Sequence, residues 1–247
     1  ARVADFLCQE SSQKFLLATP NPEMVLAAQK NPTFKKILNS TQLSVADGIG
    51  ILWASYFLSL KKRNLATLVS SLAAIIFSPK KIRSVIPERV TGSDLFPKLM
   101  KLAANHKKKV FLLGAAPGIA AKVKAKFEKK FENLEIVGAS FQNSHENEEV
   151  AIRSKIDASG AEMLFVAFSF PQQELWISRN LPKLKTVKFA AGIGGSFDFY
   201  AGVIARAPRI FRSLGLEWLW RLIRQPTRFG RIWNATYRFI RLVWIDT

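Results

Sequence analysis

The chain has 247 residues and a mass of 27.7 kDa, enough for one large α/β domain or two small ones. Hydrophobic residues make up 49% and charged residues 22%, with a mean hydropathy of +0.08, which excludes a disordered or low-complexity chain. Thirty-seven lysines and arginines against 18 acids give a net charge of +19 and a pI near 10.3, so an anionic partner is expected: nucleic acid, an acidic membrane or a phosphate-rich substrate.

The lone cysteine, Cys8, excludes an internal disulfide and a cysteine-based zinc site, and two histidines, His106 and His145, leave little for a histidine metal centre. The chain opens Ala-Arg-Val without a signal-peptide pattern, as expected of a trimmed or mature form. No apolar run reaches the roughly 18 residues that a membrane span needs.

In chain order, 15–18 reads as a strand that ends in the turn Thr19-Pro-Asn-Pro22, with a helix from about Glu23 and another delimited by Pro32. Asp47 stands in Ala46-Asp-Gly-Ile-Gly50 ahead of an apolar helix over 51–58; an Asp before Gly is by residue type a turn or helix cap. Residues 64–78 form an apolar stretch at helical spacing, with Lys61, Lys62 and Arg63 before it and Lys80, Lys81 and Arg83 after. That pattern fits a helix lying on an anionic leaflet, and equally an ordinary core or subunit-contact helix. Asp94, in Thr91-Gly-Ser-Asp-Leu95, reads as part of a helix N-terminus.

Further strands are expected at 110–113, 134–137, 163–167 and 186–191, alternating with helices that end near Lys130 and Ser159, and Ser169–Trp176 reads as a turn into a helix. A polar loop precedes Glu149, and Glu146, Glu148 and Glu149 make a loose surface cluster. The strands deliver Gly114–Gly118, Ser169–Trp176 and Gly192–Gly195 to what should be one sheet edge, where an open parallel sheet binds ligands. Gly114 and Gly118 either cradle a diphosphate or make a tight turn, and Gly192, Gly194 and Gly195 are open between ligand approach and a corner. Asp198, among apolar neighbours, reads as a buried structural acid. The aspartates never fall two apart, so the sequence lacks an Asp-x-Asp motif for a metal–nucleotide diphosphate, and a metal-independent site without a cofactor is expected.

The carboxyl-terminal segment differs from the rest. Between Arg206 and Arg241 there are nine arginines, no lysine and one acid, Glu217, and Trp218, Trp220, Trp233 and Trp244 lie in or beside it. Arginine favours forked recognition of phosphate and tryptophan favours the lipid–water boundary. Two regions follow: an α/β body over 1–205 that includes the apolar helix 64–78, and a helical membrane- and phosphate-binding tail over 206–247. The expected fold class is α/β, a Rossmann-like layered fold with a parallel sheet and an Arg/Trp-rich helical appendage. Arg221 and Arg224 share a helical face, as do Arg228 and Arg231 beyond a break at Pro226.

Thr19-Pro-Asn21, Ala46-Asp-Gly-Ile-Gly50, Arg89-Val-Thr-Gly-Ser-Asp-Leu95, Phe111-Leu-Leu-Gly114, Pro171-Gln-Gln-Glu174, Gly194-Gly-Ser-Phe-Asp198, Arg206-Ala-Pro208 and Leu216-Glu-Trp-Leu-Trp-Arg-Leu222 occur in that order. Together they resemble the WecG/TagA/CpsF glycosyltransferases of bacterial surface-polymer synthesis, over nearly the whole chain. The resemblance implies transfer of N-acetylmannosamine, or a related sugar, from a UDP-sugar donor to a polyprenyl-diphosphate-linked N-acetylglucosamine acceptor. It implies that Asp47 is the general base, with Thr19 and Asn21 beside it, and that Arg89, Ser93, Gly114, Gln173, Glu174 and Gly194 contact substrate. Gln172 stands where the family often carries a basic residue, Ala115 replaces a second glycine after Gly114, and the stretch 64–78 is longer than the family's usual segment.

A single carboxylate suffices for one inverting displacement, and without a metal the departing diphosphate must meet arginines such as Arg206, Arg221, Arg224, Arg228 and Arg231. A lipid acceptor places the enzyme peripherally on the cytoplasmic face of the bacterial plasma membrane, docked to an anionic surface, and leaves room for a homo-oligomer. A nucleic-acid-binding α/β protein is the alternative that the charge allows, but it leaves the Asp-Gly and Gln-Glu motifs unused, so no nucleic-acid partner is expected. A dinucleotide-binding dehydrogenase lacks its glycine fingerprint here, and a noncatalytic scaffold requires Asp47 to be buried and capped.

Overall fold

A computed structural model describes residues 2–9, 13–141, 146–213, 215–224 and 226–245, without the side chains of residues 146, 209, 213, 221 and 228. His145 and the side chain of Glu146 lie outside the described residues. In chain order the elements are α1 (Arg2–Leu7), β1 (Phe15–Ala18), α2 (Pro22–Lys30), α3 (Pro32–Asn39), β2 (Leu43–Ser44), α4 (Ile49–Leu58), α5 (Leu65–Phe77), α6 (Pro79–Ile82) and α7 (Gly92–Asn105). Then come β3 (Val110–Gly114), α8 (Ile119–Lys130), β4 (Ile136–Ser140), α9 (Glu149–Ala158), β5 (Met163–Ala167), α10 (Gln172–Asn180), β6 (Phe189–Gly192) and α11 (Ser196–Ala201). The tail carries α12 (Arg209–Ser213), α13 (Glu217–Arg224), α14 (Phe229–Trp233), a π-helical turn (Asn234–Arg238) and α15 (Phe239–Ile245).

These elements form two compact units. The first takes Ala1–Ala18, Lys36–Ser44 and Gly92–Ala205; the second takes Thr19–Lys35, Val45–Thr91 and Arg206–Thr247. The tail shares its unit with 19–35 and 45–91.

The first unit is an α/β layered fold. Its sheet, six-stranded among the described residues and parallel throughout, runs in the order β2-β1-β6-β5-β3-β4. Val110–Gly114, Met163–Ala167 and Phe189–Gly192 are buried at every position, the unbroken apolar pattern of strands covered on both faces. Alternation divides them: Leu17, Leu112, Phe165, Phe189 and Ala191 point into a core with Phe96 of α7, Val123 and Phe127 of α8 and Phe197 of α11. Leu16, Phe111, Leu113, Leu164, Val166 and Ala190 point into the opposite core with Ile37 of α3, Ile152 of α9 and Trp176 of α10. Phe96 is fully buried at the centre of an aromatic cluster, its ring 5.1 Å from both Phe127 and Phe165.

Strand order positions the ligand edge. From β3 the chain passes outward to β4 through α8 on one face, and from β5 it passes inward to β6 through α10 on the other. The adjacent carboxyl ends of β3 and β5 are therefore a topological switch point.

Two strands differ from their expected limits. Leu134 is buried but closes a turn onto the Phe131 carbonyl, so the apolar signal begins before pairing, which starts at Ile136 and carries a register shift opposite Val110 and Phe111. Val187 is likewise buried ahead of the ladder that begins at Phe189. The short β2 was not foreseen, since two residues carry no alternation.

The second unit is helical. Asn21 caps α2 by accepting from the Met24 N–H at 3.0 Å, and Asn64 with Thr67 forms a reciprocal capping box at the start of α5. Leu52, Trp53 and Phe57 of α4 pack with Ala74, Ile82, Phe239 and Val243. The last helix of the tail is therefore a member of this core. Among the described residues, no helix is long and apolar enough to cross a membrane.

Candidate active site

Asp47 sits in the second unit on the loop before α4, half-buried. Its backbone N–H donates to the Pro20 carbonyl at 2.9 Å, which ties it to the Thr19–Asn21 turn. The neighbouring Ala46 carbonyl accepts from the Val90 N–H at 3.0 Å, which ties the same loop to Arg89–Thr91. Gly48, at φ +107°, turns the chain from Asp47 into α4, a backbone state that a side chain resists. Two segments far apart in sequence, Thr19–Asn21 and Arg89–Thr91, are thus bonded to the loop that carries Asp47. Thr19 is buried. Asn21 has a structural duty, because its side-chain oxygen caps α2.

Arg89 and Arg206 are held by the same unit. The Arg89 guanidinium donates to the Arg212 carbonyl at 2.7 Å, Arg212 donates to the Ala207 carbonyl at 3.0 Å, and Arg206 donates to the Thr91 hydroxyl at 3.4 Å. Arg206 also lies 3.8 Å from the buried Glu217 carboxylate, the lone acid of the arginine-rich segment. These contacts staple the start of the tail to Arg89–Thr91, and through Val90 to the Asp47 loop.

Farther along, Arg231 makes a two-pronged ion pair with Glu23, at 3.0 and 2.8 Å, and this bond to a carboxylate raises its guanidinium pKa further. Arg224 lies over the Trp220 ring, 5.8 Å from its centroid. The side chains of Arg221 and Arg228 lie outside the described residues.

In the first unit, Gln173 and Glu174 open α10 just after the cis Phe170–Pro171 bond, and both are buried. The Gln173 amide donates to Glu174 Oε1 at 2.6 Å and its oxygen accepts from the Gly194 N–H at 3.0 Å. Gln173 therefore joins the start of α10 to the loop after β6. A Cβ on Gly192 would stand 2.8 Å from Gln173 Nε2, so a larger residue there would displace the Gln173 amide. Glu174 Oε2 has no hydrogen-bond partner among the described residues, and burial pushes its carboxyl up to about 7.

Gly114 ends β3 at φ +102°, and a Cβ there would meet the Ala167 carbonyl at 2.9 Å and the Phe168 ring at 2.8 Å. Ala115, in place of a second glycine, holds φ +60°. Ser93 faces inward: its hydroxyl lies 3.2 Å from that of Ser196, and its carbonyl accepts from Tyr200. The Ser93–Ser196 pairing and the Gln173 bridge were invisible in the sequence, because they join residues 103 and 21 positions apart. No group of three His, Cys, Asp or Glu residues able to hold a metal ion occurs among the described residues.

A sequence model of the glycosyl transferase WecG/TagA/CpsF family matches residues 1–79 and 66–247. The chain is also similar to an N-acetylglucosaminyldiphosphoundecaprenol N-acetyl-beta-D-mannosaminyltransferase of Bacillus spizizenii, 33% identical over 216 residues that make up 87% of this chain and 74% of that protein. With the motifs in family order, a parallel α/β sheet and a match spanning the molecule, the chain belongs to the WecG/TagA/CpsF family and is a glycosyltransferase.

Proposed function

We propose that this enzyme transfers N-acetylmannosamine, or a closely related sugar, from a UDP-sugar to N-acetylglucosamine carried on a polyprenyl diphosphate. It does so peripherally at the cytoplasmic face of the bacterial plasma membrane, in surface-polysaccharide or teichoic acid synthesis. The name of the Bacillus spizizenii relative supports the sugar and the acceptor. The observation that carries the catalytic reading is the position of Asp47, a half-buried residue whose backbone N–H is bonded to Pro20 of the Thr19–Asn21 turn and whose neighbour Ala46 is bonded to Val90.

In this mechanism Asp47 takes the proton of the acceptor hydroxyl as that oxygen attacks the anomeric carbon. The bond from this carbon to the β-phosphate oxygen breaks on the opposite face, and UDP leaves with the bonding pair. One displacement inverts configuration, so no nucleophilic carboxylate is required, and charge spreads over an oxocarbenium-like transition state. Guanidinium groups, rather than a divalent ion, meet the outgoing diphosphate, with Arg206, Arg221, Arg224, Arg228 and Arg231 as the candidates. Arg89 is assigned to substrate recognition beside Asp47, and Ser93, Gly114, Gln173, Glu174 and Gly194 to substrate recognition on the sheet unit.

Membrane docking through the tail is supported by Phe229, Trp233 and Tyr237, which stack in a row with centroids 6.3 and 4.8 Å apart and are all exposed. The test is Asp47→Ala with a lipid-linked N-acetylglucosamine analogue, read by UDP release. Turnover should fall by about 10²- to 10⁴-fold while donor binding by calorimetry is retained. Undiminished turnover removes Asp47 from the role of base, and loss of activity on adding a chelator removes the metal-free mechanism.

A further inference from the structure

We infer that the outward face of α5, with its basic flanks, is a second membrane-docking surface, lying in the headgroup–acyl boundary of an anionic leaflet. The inference rests on the membrane-surface part of the proposed function but uses a different element. Leu65, Val69, Ile76 and Phe77 are 67, 58, 67 and 81% exposed. At 100° per residue they fall, with the exposed Ala73, on a single stripe of the helix.

The opposite stripe is anchored. Ala74 packs in the core with Leu52 and Phe57, and the buried Ser71 hydroxyl accepts from the Trp53 indole at 2.9 Å. The helix is thus held rigidly with an uncharged apolar face turned outward.

Charge selects the occupant. Lys61, Lys62 and Arg63 at one end and Lys80, Lys81 and Arg83 at the other are all exposed, and no acid occurs from residue 48 to residue 87. A second copy meeting this face about a two-fold axis would bring like charges close together, with no acid within 48–87 to offset them. Anionic headgroups complement the cations, and the acyl boundary takes the apolar stripe. Thirteen helical residues span about 20 Å, short of the ~30 Å hydrocarbon core, so α5 lies on the bilayer rather than through it.

The test titrates the full chain, without donor or acceptor, against phosphatidylcholine vesicles with and without phosphatidylglycerol. Ile76→Ser combined with Phe77→Ser should weaken partition into the anionic vesicles at least about tenfold. Replacing Lys61, Lys62, Lys80 and Lys81 by Ser should cut the preference for anionic over neutral vesicles by at least about tenfold. Because all these side chains are exposed, melting temperature and sedimentation should not change. Turnover of Ile76→Ser/Phe77→Ser on a water-soluble acceptor analogue should equal that of the parent.

Unchanged partition overturns the inference. A parent dimer that Ile76→Ser/Phe77→Ser converts to monomer, with partition intact, overturns it in favour of a subunit contact. Lost turnover on the soluble acceptor overturns it by placing α5 in the active site. Trp233→Ala/Tyr237→Ala separates the two readings: if it alone abolishes partition, tail docking stands and α5 docking falls.

Discussion

Glu174 is 2% exposed, with one carboxylate oxygen bonded to Gln173 and the other without a partner among the described residues, so burial favours the neutral acid. Its carboxyl is raised from 4.5 to about 7, which makes it a source of pH-dependent stability. The folded form holds a proton that the unfolded chain has already released, so this contribution is complete below the unfolded value and is lost as pH rises through about 7. The difference is at most about 3 kcal/mol. Urea unfolding of Glu174→Gln and the parent at pH 5 and pH 8 should show the variant gaining relative stability at the higher pH, by up to that amount; parallel behaviour would remove the buried acid. Ala115 makes a second prediction at this scale. Its φ of +60° is costly for a Cβ, so Ala115→Gly should be neutral or stabilising by up to about 1 kcal/mol in the same measurement. The glycine that the family resemblance implies at this position is thereby explained by handedness of the backbone. Asp47, by contrast, was legible as a motif, whereas its ties to Pro20 and, through Ala46, to Val90 depend on how the loops fold back.

At the scale of elements, α4 and α5 are joined by a buried hydrogen bond between Trp53 and Ser71. Ser71→Ala leaves the Trp53 N–H buried without an acceptor and should cost about 1–3 kcal/mol in thermal or denaturant unfolding. The tail yields a stronger expectation. Phe239 and Val243 are buried in the core that contains Leu52, Trp53 and Phe57, so a chain ending at Arg238 should lose several kcal/mol, about 2–5 for each large side chain removed. Limited proteolysis should then cut the second unit while the parent resists. A truncation from Ser213 onward also strips this core. Periodicity revealed α5 and the arginine-rich helices, because apolar spacing and charge are local properties. It did not reveal that α15 closes the core of α4, since that pairing joins residues nearly 190 positions apart.

For the whole molecule, a charge of +19 makes association with anionic vesicles strongly dependent on ionic strength. Raising salt from low to physiological should weaken vesicle binding measured by co-sedimentation, while turnover on a water-soluble acceptor changes little; salt-insensitive binding would shift the weight from charge to the aromatic and apolar residues. Composition, the order of apolar runs and the eight motifs determined a basic α/β glycosyltransferase-like chain with an Arg/Trp tail, because burial pattern, turn chemistry and charge are written residue by residue. They also marked Asp47, Gln173 and the tail arginines as residues of interest. Only tertiary structure decided the strand order that puts the switch point at β3 and β5, the bridge from Gln173 to Gly194, and the inclusion of the tail in the unit that holds Asp47. It also decided which stripe of α5 is anchored and which faces outward. These are outcomes of long-range packing, in which the chosen partners are those that together bury the most apolar surface and satisfy the buried polar groups, and no local pattern carries that choice.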